Sequence, residues 1–206
     1  MAKQFRGVSR LVFAPITESE NATTYGTPVA IEGVKAISRD ITSDSEDVWA
    51  DNALYQKTFA GTSVNRSFET VRLDPAIEAQ LLGQTVVSVG SGDNAPKAYA
   101  TPADASNRQY FAFGYALHDG NADQPCEIVW AFRGIVNSIS KSANTIDAGT
   151  GSEGQTIEVT FTAPINKFTT TNQRNLDISM PVDANTDVDA WFAQVVTPDN
   201  IATVMD

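Results

Sequence analysis

The chain has 206 residues, enough for one large β domain, and 42% of them are apolar. Its 25 Asp and Glu residues exceed 14 Lys and Arg by a formal charge of −11, and the basic residues are scattered, which argues against a nucleic-acid-binding surface. The sequence has no apolar run of membrane-spanning length, and its first residues lack a signal-peptide pattern, so we expect folding in a cytoplasm.

The first predicted elements are a strand and a long hairpin. The strand is Ser9–Ile16, which Pro15 is expected to end or bulge. Two strand-like runs follow, Val34–Ile41 and Lys57–Leu73, separated by the segment Thr42–Gln56. This segment is too long for a tight turn, and its aromatic and apolar residues disfavour disorder. We therefore predict an arm, at 42–56, that reaches another molecule.

The arm mixes acidic residues with large apolar ones. Trp49 and Tyr55 have no obvious sheet to cover them, so subunit contact and local packing are equally open interpretations for these two side chains. Most of the acidic residues are expected to lie on solvated faces. The candidate subunit-interface residues are Asp44, Glu46, Asp47, Trp49, Asp51, Leu54 and Tyr55.

The second run of the hairpin has one polar face. Ser63, Asn65, Ser67 and Glu69 occupy its alternate positions, and the intervening positions are only partly apolar. The apolar residues then change parity, which predicts a β-bulge near Glu69 and Thr70. A strand of this length with a wholly polar face is not expected to be covered on both sides.

A short helix over about 74–83 is the clearest local prediction. Asp74 can accept from the first free amides, and Pro75 suits the first helical position. Ile77 and Leu81 stack four residues apart, and Gly83 provides a left-handed exit. We expect this helix to lie on a sheet.

The rest of the chain is predicted to be mostly strands. In Tyr110–Leu117, large apolar residues alternate with Ala112, Gly114 and Ala116, a face small enough for close packing. The lone cysteine, Cys126, excludes an internal disulfide and is predicted to be a buried core thiol. The other predicted strands are Thr85–Val89, Lys97–Ala100, Glu127–Ser140, Thr156–Thr162 and Leu176–Val182.

A C-terminal helix is predicted after Thr186, which can cap it, and Pro198 ends it. Its amphipathic stripe consists of Val188, Trp191, Phe192 and Val195. Together these elements predict a mainly β fold, an antiparallel β-sandwich or barrel with one flanking α-helix. The predicted organisation is a single domain, 1–206, with the arm at 42–56 and a C-terminal extension at about 183–206.

The sequence offers little for catalysis. His118 is the only histidine and lies in a turn, where a surface role is expected. The segment Gly90–Asn94 resembles only half of a phosphate loop, and the acidic segments lack a calcium-loop pattern. We therefore predict no enzyme activity, no catalytic residue, no cofactor and no metal.

Several short segments together resemble the major tail tube protein family of long-tailed, non-contractile (siphophage-type) bacteriophages. The likeness depends on their order and spacing over most of the chain. These segments are Arg10–Thr17, Thr24–Pro28, Asp47–Tyr55, Leu73–Gln84, Phe111–Tyr115 and Ile128–Gly134.

The resemblance implies a β-sandwich or barrel that assembles into hexameric rings, which stack into a tube in the virion tail. Viral DNA would pass through without specific binding, and the tape measure and tail-end proteins would be partners. Ser63, Asn65, Ser67 and Glu69 are then the candidate lumen-facing residues. Assembly is expected in the host cytoplasm. The alternative is a soluble β-sandwich module that binds a carbohydrate or protein ligand through the aromatic residues of the arm.

Overall fold

The computed structural model describes residues 4–50, 53–92, 95–120, 124–142 and 154–205, without the side chains at 44, 48–50, 53–55, 58–60 and 107. The fold is mainly β and antiparallel, which confirms the predicted class. The strands are β1 Gly7–Glu18, β2 Thr23–Tyr25, β3 Val29–Ala30, β4 Val34–Ala50, β5 Ala53–Thr70, β6 Thr85–Ser88, β7 Lys97–Ala100, β8 Tyr110–His118, β9 Glu127–Lys141, β10 Gln155–Phe161 and β11 Asp177–Pro181. The helices are α1 Pro75–Leu82, α2 Val188–Ala193 and α3 Ile201–Val204.

The main sheet has the strand order β2-β1-β8-β9-β10-β5-β4. β3 pairs with β1. β11 pairs with the start of β9, on the same edge that β10 pairs with further along. The sheet curls until the start of β4 lies near β1, where Val8–Val12 and Ala30–Val34 line a cavity of about 520 Å³. β6 and β7 form a separate two-stranded ribbon.

The inner core fills the space that the curled sheet encloses. Phe113 lies at its centre, stacked on Phe68 with ring centroids 5.3 Å apart and edge-on to Phe161 at 5.9 Å. α1 covers one end of this core with the buried Leu81, next to Leu73. The alternating apolar residues of β10 all point inward, as its sequence pattern predicted.

A second core lies on the opposite face of β1, β8 and β9, under the C-terminal segment. The small face of β8 allows the close approach that was predicted: a Cβ on Gly114 would lie 2.9 Å from Val12 Cγ2 and 3.0 Å from the Trp130 ring. Trp130 donates from Nε1 to the Trp191 carbonyl at 3.0 Å. This bond fixes the C-terminal segment to the sheet.

Helices α1 and α2 are capped by side chains and, in α1, a glycine close to them in the sequence. Asp74 accepts from the Ala76 amide at 2.7 Å, and Gly83 is left-handed with φ 65°, as predicted for α1. In α2 the prediction of a Thr186 cap is wrong, because Asp187 accepts from the Ala190 amide at 2.9 Å. The Thr186 hydroxyl instead donates to Asp183 at 3.0 Å in the preceding turn.

Three details of the strands differ from the predictions. Pro15 does not end β1, whose bulge lies earlier, around Arg10 with φ 53°. The bulge expected near Glu69 is carried by β4, where the register shifts between Val34 and Ala36, opposite the end of β5. Cys126 is only partly buried and precedes β9, so it is not a core thiol.

Candidate assembly surfaces

The two predicted strand runs extend into the predicted arm at 42–56, because β4 continues to Ala50 and β5 begins at Ala53. β10 pairs with β5 only from Val64 to Thr70, so Ala53–Ser63 pairs with β4 alone within the described part of the chain. We call this two-stranded extension, Thr42–Ala50 paired with Ala53–Ser63, the ribbon. At about 3.3 Å per residue the ribbon extends roughly 30 Å beyond the sheet. A two-stranded ribbon is at most marginally stable alone in water.

Cross-strand contacts hold the base and middle of the ribbon. Ser43 and Thr62 share a hydrogen bond of 3.0 Å, and Lys57 Nζ lies 3.3 Å from the carboxylate of the opposing Asp47. The register shifts between Ser43 and Ser45 mark a bulge, which increases local twist. The contacts that the structure describes in the ribbon are therefore those of local pairing between β4 and β5.

The structure describes only some of the candidate interface residues. Glu46 and Asp47 are exposed on β4. Asp51 lies outside the described residues. For four others the structure describes the backbone but not the side chain: Asp44, Trp49, Leu54 and Tyr55. Their contact with another subunit stays a prediction.

The polar face predicted for one strand continues across four. Val64, Arg66, Phe68 and Thr70 point into the core, so the alternate residues of β5 point away from it. The strand register adds polar neighbours on β4, β10 and β9 to the same face. The residues of this four-stranded polar face are Ser38, Asp40, Thr42, Ser63, Asn65, Ser67, Glu69, Ser138, Ser140, Thr156, Glu158 and Thr160.

Side-chain hydrogen bonds link the strands across this face. Ser38 and Ser67 are 2.7 Å apart, and Thr160 donates to Asn65 at 2.7 Å. Asn137 Nδ2 in turn donates to Thr160 at 2.7 Å. The face also carries the carboxylates of Asp40, Glu69 and Glu158, and Lys35 pairs with Glu69 at 2.9 Å. It is therefore hydrophilic and acidic.

Beneath the polar face, a buried arginine ties the sheet to β11. Arg66 is fully buried and donates from Nη2 to Asp177, which also pairs with Arg39 at 3.0 Å. Its guanidinium lies 5.4 Å from the Tyr115 ring centroid and 5.1 Å from that of Phe161. Burial lowers the pKa of Arg66, and the Asp177 carboxylate opposes that shift. A cavity of about 270 Å³ opens beside this cluster.

The sequence could not assign Arg66 to the interior, because its partner Asp177 is distant along the chain. The even positions of β5 looked only partly apolar because they include Arg66, a charged residue that faces the core. Other polar-face residues were missed because they depend on the pairing of β4, β9 and β10. The alternation of β10 was the available signal for Thr156, Glu158 and Thr160.

Two edges of this four-stranded part of the sheet lack a strand partner among the described residues. β4 pairs only with β5. β8 reaches β9 only as far as the pair Tyr110 and Ile135, so within the described chain 136–141 has no strand partner on that side. Arg108 lies just before β8 and donates from Nη1 to the carbonyls of Val136 and Asn137, at 2.8 and 2.6 Å.

At the only histidine of the sequence, Ser9 Oγ and His118 Nε2 are 2.7 Å apart, between the paired ends of β1 and β8. Over the described residues, no group of three or more His, Cys, Asp or Glu side chains could hold a metal ion. In the same ranges, no helix is both long and apolar enough to cross a membrane.

No protein-family model matches the chain, and no curated protein matches it. Among solved structures, it is similar to a chain of the sheath–tube complex of an extracellular contractile injection system in the extended state, with TM-score 0.44 and 8% identity over 84% of this chain and 89% of that one. It is also similar to a chain of the tube-terminating cap of the anti-feeding prophage, with TM-score 0.41 and 11% identity over 88% and 95%. Because both TM-scores are below 0.5, the proposals below rest on the geometry of this chain.

Proposed function

We propose that this chain is a structural virion protein that self-assembles into stacked hexameric rings, which form the tail tube of a long-tailed, non-contractile phage. The tube is the conduit for viral DNA during ejection. The observation that carries the proposal is the continuity of a projecting two-stranded ribbon with a four-stranded sheet that is polar on one face and open at both edges.

The direction of the strands is compatible with ring closure. β9, β10, β5 and β4 alternate in direction. When a second copy is placed beside the first by rotation about the tube axis, its β9 runs antiparallel to the first copy's β4, since each copy contributes four alternating strands. Repetition closes a barrel and removes the exposed edges, which would otherwise promote irregular aggregation.

The polar face supports a lumen. Its hydroxyl and amide groups favour contact with water, and Asp40, Glu69 and Glu158 make it acidic. An acidic wall repels DNA phosphates, so the genome slides without specific binding. Ser63, Asn65, Ser67 and Glu69 are proposed to line this channel together with their neighbours on β4, β9 and β10.

The ribbon supports stacking. Because a two-stranded ribbon has little core of its own, contact with a second copy stabilises it. We assign its tip, with Trp49, Leu54 and Tyr55, and its acidic residues to contacts with the next ring. Other tail proteins, including the tape measure and tail-end proteins, are the remaining proposed partners, in a virion assembled in the host cytoplasm.

Electron microscopy of the purified full chain tests the proposal. Rings or tubes should become more abundant as protein concentration rises. A strictly monomeric species at every concentration would contradict the proposal.

A shortened variant tests the ribbon separately. Thr42 and Ser63 are directly paired, so replacing 43–62 by Asn-Gly joins them through a two-residue hairpin turn. This variant should keep its fold and form single rings without tubes. Deletion of 42–56 is a poorer test, because it leaves Lys57–Thr62 without the β4 residues that pair with them. Normal tubes from the shortened variant would exclude a stacking role.

A further inference from the structure

The free edge of β9 carries two features at the same point. Asn137 is an extra residue in the ladder, because the register passes from Val136 opposite Val159 to Ser138 opposite Glu158. The Arg108 guanidinium then binds the carbonyls of Val136 and Asn137 on the edge that β8 leaves open. Bulges and charged side chains are two of the ways in which proteins protect sheet edges from pairing.

We propose that Arg108 guards this edge in the free subunit, and that β4 of a second copy displaces its guanidinium when a ring closes. The inference rests on the proposed function. A paired strand lies about 4.8 Å from its neighbour, and a guanidinium bonded to two edge carbonyls occupies that space. Pairing along 136–141 therefore requires Arg108 to leave.

The charge of β4 makes a second copy of this chain the partner that best fits the free edge of β9. In the four-stranded sheet, β4 exposes the carboxylate of Asp40, and its cations Lys35 and Arg39 already pair with Glu69 and Asp177. The β9 edge combines Arg108 with Lys141. The released guanidinium consequently meets the Asp40 carboxylate of the incoming strand. Lys141 already pairs with Glu78 of α1 at 2.6 Å, so Arg108 is the cation that pairing must move.

Association kinetics of the full chain test the guard. Arg108→Ala should shorten the lag before tube formation, followed by light scattering and electron microscopy, by about tenfold, equivalent to about 1.4 kcal/mol. Arg174→Ala is the matched control, because it removes the same charge from an exposed residue before β11 and should leave the lag unchanged. Arg108→Lys keeps the charge but loses the planar fork, and its lag should lie between those of Arg108→Ala and the wild type.

An unchanged or longer lag for Arg108→Ala would overturn the guard while leaving the tube proposal intact. If the wild-type chain forms neither rings nor tubes, the tube proposal fails. The proposed protection of the β9 edge by Arg108 is then tested separately, by measuring self-association in sedimentation velocity experiments. Arg108→Ala must then still self-associate where the wild type is monomeric, and a monomeric variant would reject the guard. Circular dichroism verifies folding, and Arg108→Gln replaces the alanine variant if that variant unfolds.

Discussion

Asp177 accepts a hydrogen bond from the buried guanidinium of Arg66 and thereby joins β11 to β5. Among the described residues, Arg66 Nε and Nη1 have no hydrogen-bond partner, and the rings of Tyr115 and Phe161 flank the cation. Asp177 also binds the more exposed Arg39 of β4. The buried positive charge of Arg66 is therefore compensated by a single carboxylate, that of Asp177.

Removal of that carboxylate should destabilise the fold strongly. Asp177→Ala leaves the Arg66 charge buried without its carboxylate, and breaking such pairs costs about 3–5 kcal/mol. The free energy of unfolding in urea measures the effect. Arg66→Met in the same chain should recover much of the loss, since an apolar side chain of similar length needs no counter-ion. Arg39→Ala is the control for the exposed pair and should cost about 1 kcal/mol or less. Equal losses for Asp177→Ala and Arg39→Ala would contradict this interpretation.

Gly134 allows β9 and β10 to pack closely. A Cβ at this position would lie 2.6 Å from Phe161 Cε1 and 2.7 Å from Val159 Cγ1. Gly134→Ala should therefore lower the free energy of unfolding by about 1–3 kcal/mol through overpacking. Gly61→Ala is the control, because among the described atoms, its chain neighbours apart, none lies within 4 Å of the added Cβ, and it should change stability by less than about 1 kcal/mol. Thermal and urea unfolding of both variants decide the point.

Local chemistry allowed several elements to be predicted from the sequence. The Asp74 cap, Pro75 and left-handed Gly83 define α1 within a few residues, and strict alternation defines β10. The predicted cap of α2 was wrong by one residue because Thr186 and Asp187 are both good caps. Only the bond between Thr186 and Asp183 in the preceding turn decides between them.

Features that depend on strand pairing could not be predicted. Ribbon residues 42–56 have few apolar alternations, so the sequence did not reveal that β4 and β5 pair through them. The polar face needs the register of four strands, and only its β5 row was visible beforehand. The contact of Arg108 with the β9 edge depends on where β8 stops along β9, a relation that no local pattern contains.

Asp199 anchors the loop before β11 to the C-terminal segment and should make stability sensitive to acid. Although slight desolvation favours its neutral form, the backbone amides of Thr170 and Thr169 hold the pKa of the exposed Asp199 below its usual range. The folded pKa is therefore below the unfolded value of about 3.9. The carboxylate stabilises the fold above that value, and this contribution is lost as pH falls through the folded pKa. Asp199→Asn should thus be less stable than the wild type at pH 7, with the difference shrinking as pH falls below the unfolded pKa of about 3.9. A difference in urea unfolding that stays constant across this pH range would contradict the assignment.

Reversal of charge on the polar face should affect DNA passage more than assembly. Glu158 is exposed on β10, opposite Ser67 of β5 and Ser138 of β9. Glu158→Lys should leave tube formation intact, because the side chain is not part of the core. In virions built with this variant, DNA ejection should slow severalfold at low salt and recover at high salt, because ammonium groups in the lumen attract phosphates and salt screens that attraction.

Two control variants separate the lumen from general charge effects. Glu158→Gln removes the negative charge without adding a cation and should slow ejection less. Glu20→Lys makes the same charge change in the exposed turn between β1 and β2, away from the four-stranded face, and should eject at the wild-type rate. Loss of tubes in Glu158→Lys would mean that this face is buried between subunits, and equal slowing by Glu20→Lys would mean that the effect does not come from a channel.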